Sequence, residues 1–270
     1  MSDSLPSLIR AIETADSSSK LLEAVQNLAD ARLESAVPAL IEALSYNNPG
    51  AAVAAVDGLI QIGEPAVNAL IELLDQHNYT ARAWAIRALA GIGDPRGLVT
   101  LLGAATADFA LSVRRAAARG LGSMQWQWFP PDLLEIAQEE ALEALLFVAQ
   151  QDDEWVVRYS SVVGLQSLAV AIPSTYKDWR SQIQSQLRQM VEQDGSGAVR
   201  ARASWALRQI QTDTSPFAKP AIASTPPEID WQSIMAKLYD RRGEERTAAI
   251  LEGDPRRYRD LAVAIASEKD

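Results

Sequence analysis

Apolar residues return along this chain at the three- and four-residue spacing of a helix face, and the helices so predicted recur as a larger unit. The segments "AAVAAVDGL", "TARAWAIRAL", "VRRAAARGL", "VRYSSVVGL" and "VRARASWAL" align on their closing leucines, Leu59, Leu89, Leu121, Leu165 and Leu207. Leu28 of "LLEAVQNL" is a weaker first member, and the intervals are 31, 30, 32, 44 and 42 residues. Each interval suits one helical hairpin. Before the anchored helices stand "ESAVPALIEALS", "EPAVNALIELLD", "PRGLVTLLGAAT" and "EEALEALLFVAQ", which predict an outer helix ahead of each Ala-rich inner one. Small residues such as Ala85, Ala88, Ala117 and Gly120 allow inner helices to approach closely when hairpins stack.

Turn chemistry agrees with this period. Gly63 and Gly93 suit the left-handed conformation that ends a helix, Pro65 and Pro95 suit a first turn, and both turns are expected inside hairpins. No hairpin can bury its apolar face alone, so stacking is required. The expected fold is all-α: an α-solenoid of HEAT-like repeats, a right-handed superhelix spanning residues 1–211, with the repeats legible from Ser18. Residues 212–227 form a Pro-, Ser- and Thr-rich linker, and 228–270 a helical tail. In the tail, Thr225 to Glu228 resembles a capping box ahead of "DWQSIMAKLYDRR", and "PRRYRDLAVAIASE" predicts a second helix. Trp231, Ile234 and Leu238 share an apolar face, so the tail is expected to dock on a partner or back on the solenoid.

Composition then narrows the chemistry. A formal net charge of -10 argues against nucleic acid as a partner, and no run is long and apolar enough for membrane insertion. Without cysteine there is neither a disulfide nor a thiol nucleophile, and with His77 as the single imidazole no multi-His metal site is expected. His77 reads as a surface residue, and the N-terminus lacks a secretory pattern, which points to a cytoplasmic protein.

Arginine recurs seven residues before the anchor at Arg82, Arg114, Arg158 and Arg200, and Asp108, Asp153 and Asp194 precede the same helices. The pattern predicts an inter-repeat ion-pair ladder. Columns two, five and six residues before the anchor bring Trp84, Arg87, Arg115, Arg119, Tyr159, Arg202 and Trp205 toward the hollow of the superhelix. A basic, aromatic surface of this kind suits a planar conjugated ligand with carboxylates, or an acidic protein face. The two long intervals add connectors at "GSMQWQWFPPDLLEIAQ" and "AVAIPSTYKDWRSQ". In the first, Trp126, Trp128 and Phe129 either plug an irregular corner or offer an aromatic shelf.

The stretch Tyr79 to Gly122, above all "ARAWAIRALAGIGDPR" and "DFALSVRRAAARGLG", resembles the phycobilin lyase family with HEAT-like repeats, specifically the alpha (E-type) subunit of its heterodimeric members. The resemblance implies an enzyme that works with a smaller HEAT-like beta subunit. Phycocyanobilin would be a substrate, not a bound cofactor, attached through a thioether to a cysteine of the apo phycocyanin alpha chain. It further implies that Arg87, Arg115 and Arg119 bind propionates and that Trp84, Trp126, Trp128 or Tyr159 stack on pyrrole rings. Asp94 and Asp108 are the candidates to hydrogen-bond pyrrole nitrogens; the plainer reading of each is a helix cap. The rival reading is a non-enzymatic scaffold or chaperone for phycobiliproteins, including a phycobilisome disassembly factor.

Overall fold

A computed structural model describes residues 4–74, 79–211 and 228–252, and every described element is helical. The chain divides into two compact units, Met1–Pro227 and Glu228–Asp270. In the first, twelve α-helices pair as α1 (Leu5–Glu13) with α2 (Ser18–Asp30), α3 (Val37–Ala43) with α4 (Pro49–Ile62), and α5 (Val67–Leu74) with α6 (Tyr79–Ile92). The series continues with α7 (Leu98–Ala107) and α8 (Leu111–Leu121), α9 (Pro131–Gln151) and α10 (Trp155–Ala171), and α11 (Lys177–Gln193) and α12 (Gly197–Gln211). Even-numbered helices form one continuous row, each packed on the next, and each odd-numbered helix packs on its own partner. This is an all-α solenoid.

The leucine ruler lies in the core of that row. Leu28, Leu59, Leu89, Leu121 and Leu165 are buried, and Leu207, in the last hairpin of the series, is half-buried. Small residues set the spacing: a Cβ on Gly120 would lie 2.5 Å from the Cβ of Ala90, and one on Gly164 would lie 2.4 Å from the carbonyl oxygen of Ala118. Neither side chain nor backbone has room for that atom.

Gly63 and Gly93 have φ of 79° and 71°, and each donates its N–H to the anchor leucine's carbonyl, at 2.9 Å. They do not lie inside hairpins, however. These turns join α4 to α5 and α6 to α7, so they link one hairpin to the next. The two long intervals are also built differently from the expected loops. Much of the extra length is helix, since α9 has 21 residues and α11 has 17, against 10 in α7.

The Trp corner follows α8. Its backbone is tied to the preceding turn by the Gln125 N–H, which donates to the Gly93 carbonyl at 2.7 Å. Trp126 and Phe129 are buried with ring centroids 5.3 Å apart, so they fill the corner. In the second unit, α13 (Trp231–Glu252) is capped by Asp230, whose carboxylate accepts from the Ser233 N–H at 3.1 Å. The expected capping box at 225–228 is therefore not where the helix starts. The 212–227 linker, His77 and the second tail helix lie outside the described residues.

Candidate functional site

Arginine does two kinds of work on the even-numbered row. At the loop edge it builds rungs. The Arg114 Nε and Nη2 donate to the Asp152 carboxylate at 2.7 and 3.2 Å, and its Nη1 donates to the carbonyls of Asp108 and Phe109. Arg158 repeats the arrangement on Asp194, at 2.7 and 3.0 Å, with Nη1 on the carbonyls of Asp152 and Asp153. Arg82 pairs with Asp108. Each aspartate also closes the turn that leads into its own helix, accepting from the N–H two residues on, of Ala110, Glu154 or Ser196. The middle rung uses Asp152 where the sequence reading had Asp153, because the partner stands six residues before the arginine in each repeat.

The charges record these pairings. Hydrogen bonds to Asp152 and Asp194 hold the guanidinium groups of Arg114 and Arg158 above their ordinary value, against the pull of burial. Burial alone would raise the Asp194 carboxyl. The Arg158 hydrogen bond, the Ser196 N–H and the charges of Arg158 and Arg200 outweigh it and hold the group below the ordinary carboxylate value.

Asp94 is equally committed. Its buried carboxylate accepts from the Arg96 N–H, Nε and Nη2, each at 2.9 Å, and Arg96 reaches on to Glu64 at 2.6 Å. Arg96 thereby ties successive inter-hairpin turns together. Both proposed catalytic aspartates, Asp94 and Asp108, thus hold turns and arginines.

The second kind of arginine lies across α8, α10 and α12. Arg202 sits 5.9 Å from the centroid of the Tyr159 ring and 4.7 Å from that of Trp205. Its Nη2 donates to the Gln166 Oε1 at 2.7 Å. Burial holds the Arg202 guanidinium below its ordinary value; Tyr159 pulls the other way, and the nearby charge of Arg119 adds to the lowering. Arg119, Tyr159, Arg202 and Trp205 are therefore gathered in one neighbourhood. Arg115 is exposed one turn before Arg119, and on α6 the Arg87 guanidinium stands 5.6 Å from the centroid of the Trp84 ring.

At the corner, Trp126 is a plug and Trp128 is half-buried. Both indole nitrogens are shut from solvent without an acceptor among the described residues. Gln166 is a functional candidate that the sequence reading missed. Its signal was available: the residue after the anchor is Ala29, Ile60, Ala90 and Gly122 in the preceding repeats, and Gln166 breaks that apolar or small column. On α13, Ile234 and Leu238 are buried and Trp231 is half-buried, the three sharing one stripe of the helix. Among the described residues no cluster of three metal-ligating side chains occurs, and no helix is long and apolar enough to cross a membrane.

A family model for HEAT repeats matches residues 5–84 and 67–166. A protein of Pseudanabaena tenuis named phycocyanobilin lyase subunit beta is 60% identical over 98% of both chains. The chain belongs to the phycocyanobilin lyase beta-subunit family. A Synechocystis relative, named phycocyanin alpha phycocyanobilin lyase CpcF, is 49% identical over 75% of this chain and 92% of its own length. Among solved structures, the complex of CpcE and CpcF of phycocyanin lyase from Nostoc matches with a TM-score of 0.58 and 48% identity, covering 64% of this chain and 98% of the matched one.

These relatives correct the alpha-type resemblance and, with it, the expectation of a beta subunit as the partner. The physical reason lies in the segments that carried the resemblance. Ala85, Ala88, Gly120 and the ladder residues Arg82 and Arg114 are what hairpin stacking itself demands, so they mark the repeat better than the subunit type.

Proposed function

We propose that this chain is the beta-type subunit of a heterodimeric lyase that, with an alpha-type partner, attaches phycocyanobilin through a thioether to a cysteine of the phycocyanin alpha chain. The observation that carries the reading is the 60% identity over 98% of both chains to a phycocyanobilin lyase subunit beta. The CpcE and CpcF complex from Nostoc supports the heterodimer, and the Synechocystis relative's name supports the phycocyanin alpha chain as acceptor.

The chemistry fits a chain without cysteine. The acceptor's sulfur adds to the ethylidene carbon of the pigment's A ring, the thiol proton is taken up by the pigment, and nothing leaves. The lyase's task is then positioning, and holding a long flexible pigment in one reactive geometry lowers the barrier by several kcal/mol. Arg87, Arg115, Arg119 and Arg202 supply donors for propionates, and Trp84, Tyr159 and Trp205 supply ring faces. Trp128 is a further candidate at the corner. Asp94 and Asp108 stand outside this reading, since Arg96 and Arg82 already hold their carboxylates. Trp231, half-buried, is proposed as the α13 contact for the partner, since Ile234 and Leu238 are already buried; phycocyanobilin is a substrate with no permanently bound cofactor, and the reaction is placed in the cytoplasm.

The test is co-expression of this chain, an alpha-type partner, the apo phycocyanin alpha chain and a phycocyanobilin supply. A pigment adduct that resists denaturation is expected only when both subunits are present. Adduct formation that proceeds equally without this chain would refute the reading, and stable binding to phycocyanin without any adduct would favour the scaffold.

A further inference from the structure

Arg202 is the member of the α8, α10 and α12 wall whose surroundings do not close. It is 8% exposed, and no carboxylate faces it among the described residues. A protein that buries a guanidinium ordinarily gives it a counter-charge, as this chain does for Arg114 and Arg158. Two donors are left over. The Nη1 of Arg202 and the Nε2 of Gln166, itself 1% exposed, are both shut from solvent with no acceptor among the described residues. They belong to side chains already joined by a 2.7 Å hydrogen bond, so a single acceptor group can answer both.

We propose that Arg202 and Gln166, with Arg119 at the exposed rim, form a seat for one carboxylate of a flat conjugated ligand whose rings lie along Tyr159. A carboxylate brings the missing negative charge and two acceptor oxygens in a plane that matches the guanidinium fork. Tyr159, 36% exposed, and the exposed Arg119 mark the rim nearest these buried donors. Rings beside the guanidinium favour a flat molecule, because a lone acidic side chain would leave their faces unused. The inference rests on the pigment-binding reading above. Phycocyanobilin is flat, conjugated and carries two propionates.

The probe pair is phycocyanobilin and its dimethyl ester, titrated by absorbance and fluorescence into the assembled heterodimer. The native complex is expected to bind the acid about tenfold to a hundredfold more tightly than the diester, the range of a charge-assisted hydrogen bond. Arg202→Met should lose most of the preference for the acid, keeping only the share that Arg87, Arg115 and Arg119 supply, with diester binding unchanged. Gln166→Leu should shift the same way by less, and Arg202→Lys should recover only part of the preference because it lacks the fork. Circular dichroism and melting verify each variant's fold; should Arg202→Met fail to fold, the exposed Arg119→Gln carries the same comparison. Equal binding of acid and diester by the native complex, or an acid preference as large in Arg202→Met as in the native complex, overturns the seat while pigment binding stands. Uptake of neither form overturns the seat together with the function it rests on.

Discussion

Along the loop edge of the even-numbered row, Arg82, Arg114 and Arg158 each end on an aspartate of the next hairpin; on the wall of the same row, Arg202 ends on none among the described residues. The two sets share residue type, helix layer and partial burial. They differ in whether the charge is answered from within the chain. Where it is answered, removing a partner strands a buried ion, so the group serves architecture. Where it is not, folding leaves a charge and unmet donors in place, and something outside the described residues has to supply the complement.

The largest expected effect comes from breaking a rung. Asp152→Ala leaves the Arg114 fork without its acceptor and opens the turn bond to the Glu154 N–H, and should cost about 3 kcal/mol in chemical denaturation. A result near zero would put the loop-edge arginines in the same class as the wall. Next, Gly120→Ala forces a methyl to within 2.5 Å of the Ala90 Cβ, and should cost about 2 kcal/mol by separating α6 from α8. A melt unchanged from the parent protein would mean that the row is looser than its contacts.

A smaller effect is set by pH. Because the folded Asp194 carboxyl lies below its ordinary value, the unfolded chain takes up the proton first on acidification. The contribution is fully present above the unfolded carboxylate value and fades as pH falls through the folded one. The stability gap between the parent and Asp194→Asn should therefore be widest near neutral pH and shrink on acidification below about pH 4. A gap that stays constant to pH 2 would remove the ion pair from the account. The smallest stability effect belongs to the wall. Charge reversal of the exposed pair, Arg115→Glu with Arg119→Glu, should change stability by less than about 0.5 kcal/mol. Pigment uptake should nevertheless fall, and undiminished uptake by the folded double variant would detach those two arginines from the site.

The same contrast explains what could be read in the sequence. Stacking repeats itself, so Leu59, Leu89, Leu121 and Leu165 announced the solenoid, and the arginine seven residues before Leu89, Leu121, Leu165 and Leu207 announced the rungs. Register within a run of acids was missed. In "DDE", only the spacing from the helix's own arginine separates Asp152 from Asp153; it is six residues in all three repeats, and the sequence reading did not apply it. The Gly63 and Gly93 turns were recognised by their chemistry and placed in the wrong joint, because a helix end looks alike whichever hairpin it closes. Trp126 carried two meanings until packing with Phe129 chose the plug. The wall was legible only in outline. Columns located Arg119, Tyr159, Arg202 and Trp205, but no periodicity reveals that a guanidinium is buried beside an amide and lacks an acid.

The rungs also begin late. Between α2 and α4 the corresponding edge is held by Asn48, whose amide donates to the Ser18 carbonyl at 2.9 Å, a neutral hydrogen bond where later hairpins use charge. In an array where each unit leans only on its neighbours, this asymmetry makes the N-terminal end the place where fraying starts. Amide hydrogens of α1 to α4 should exchange with solvent deuterium sooner than those of α8 and α10, so that the molecule melts as a zip opening from one side.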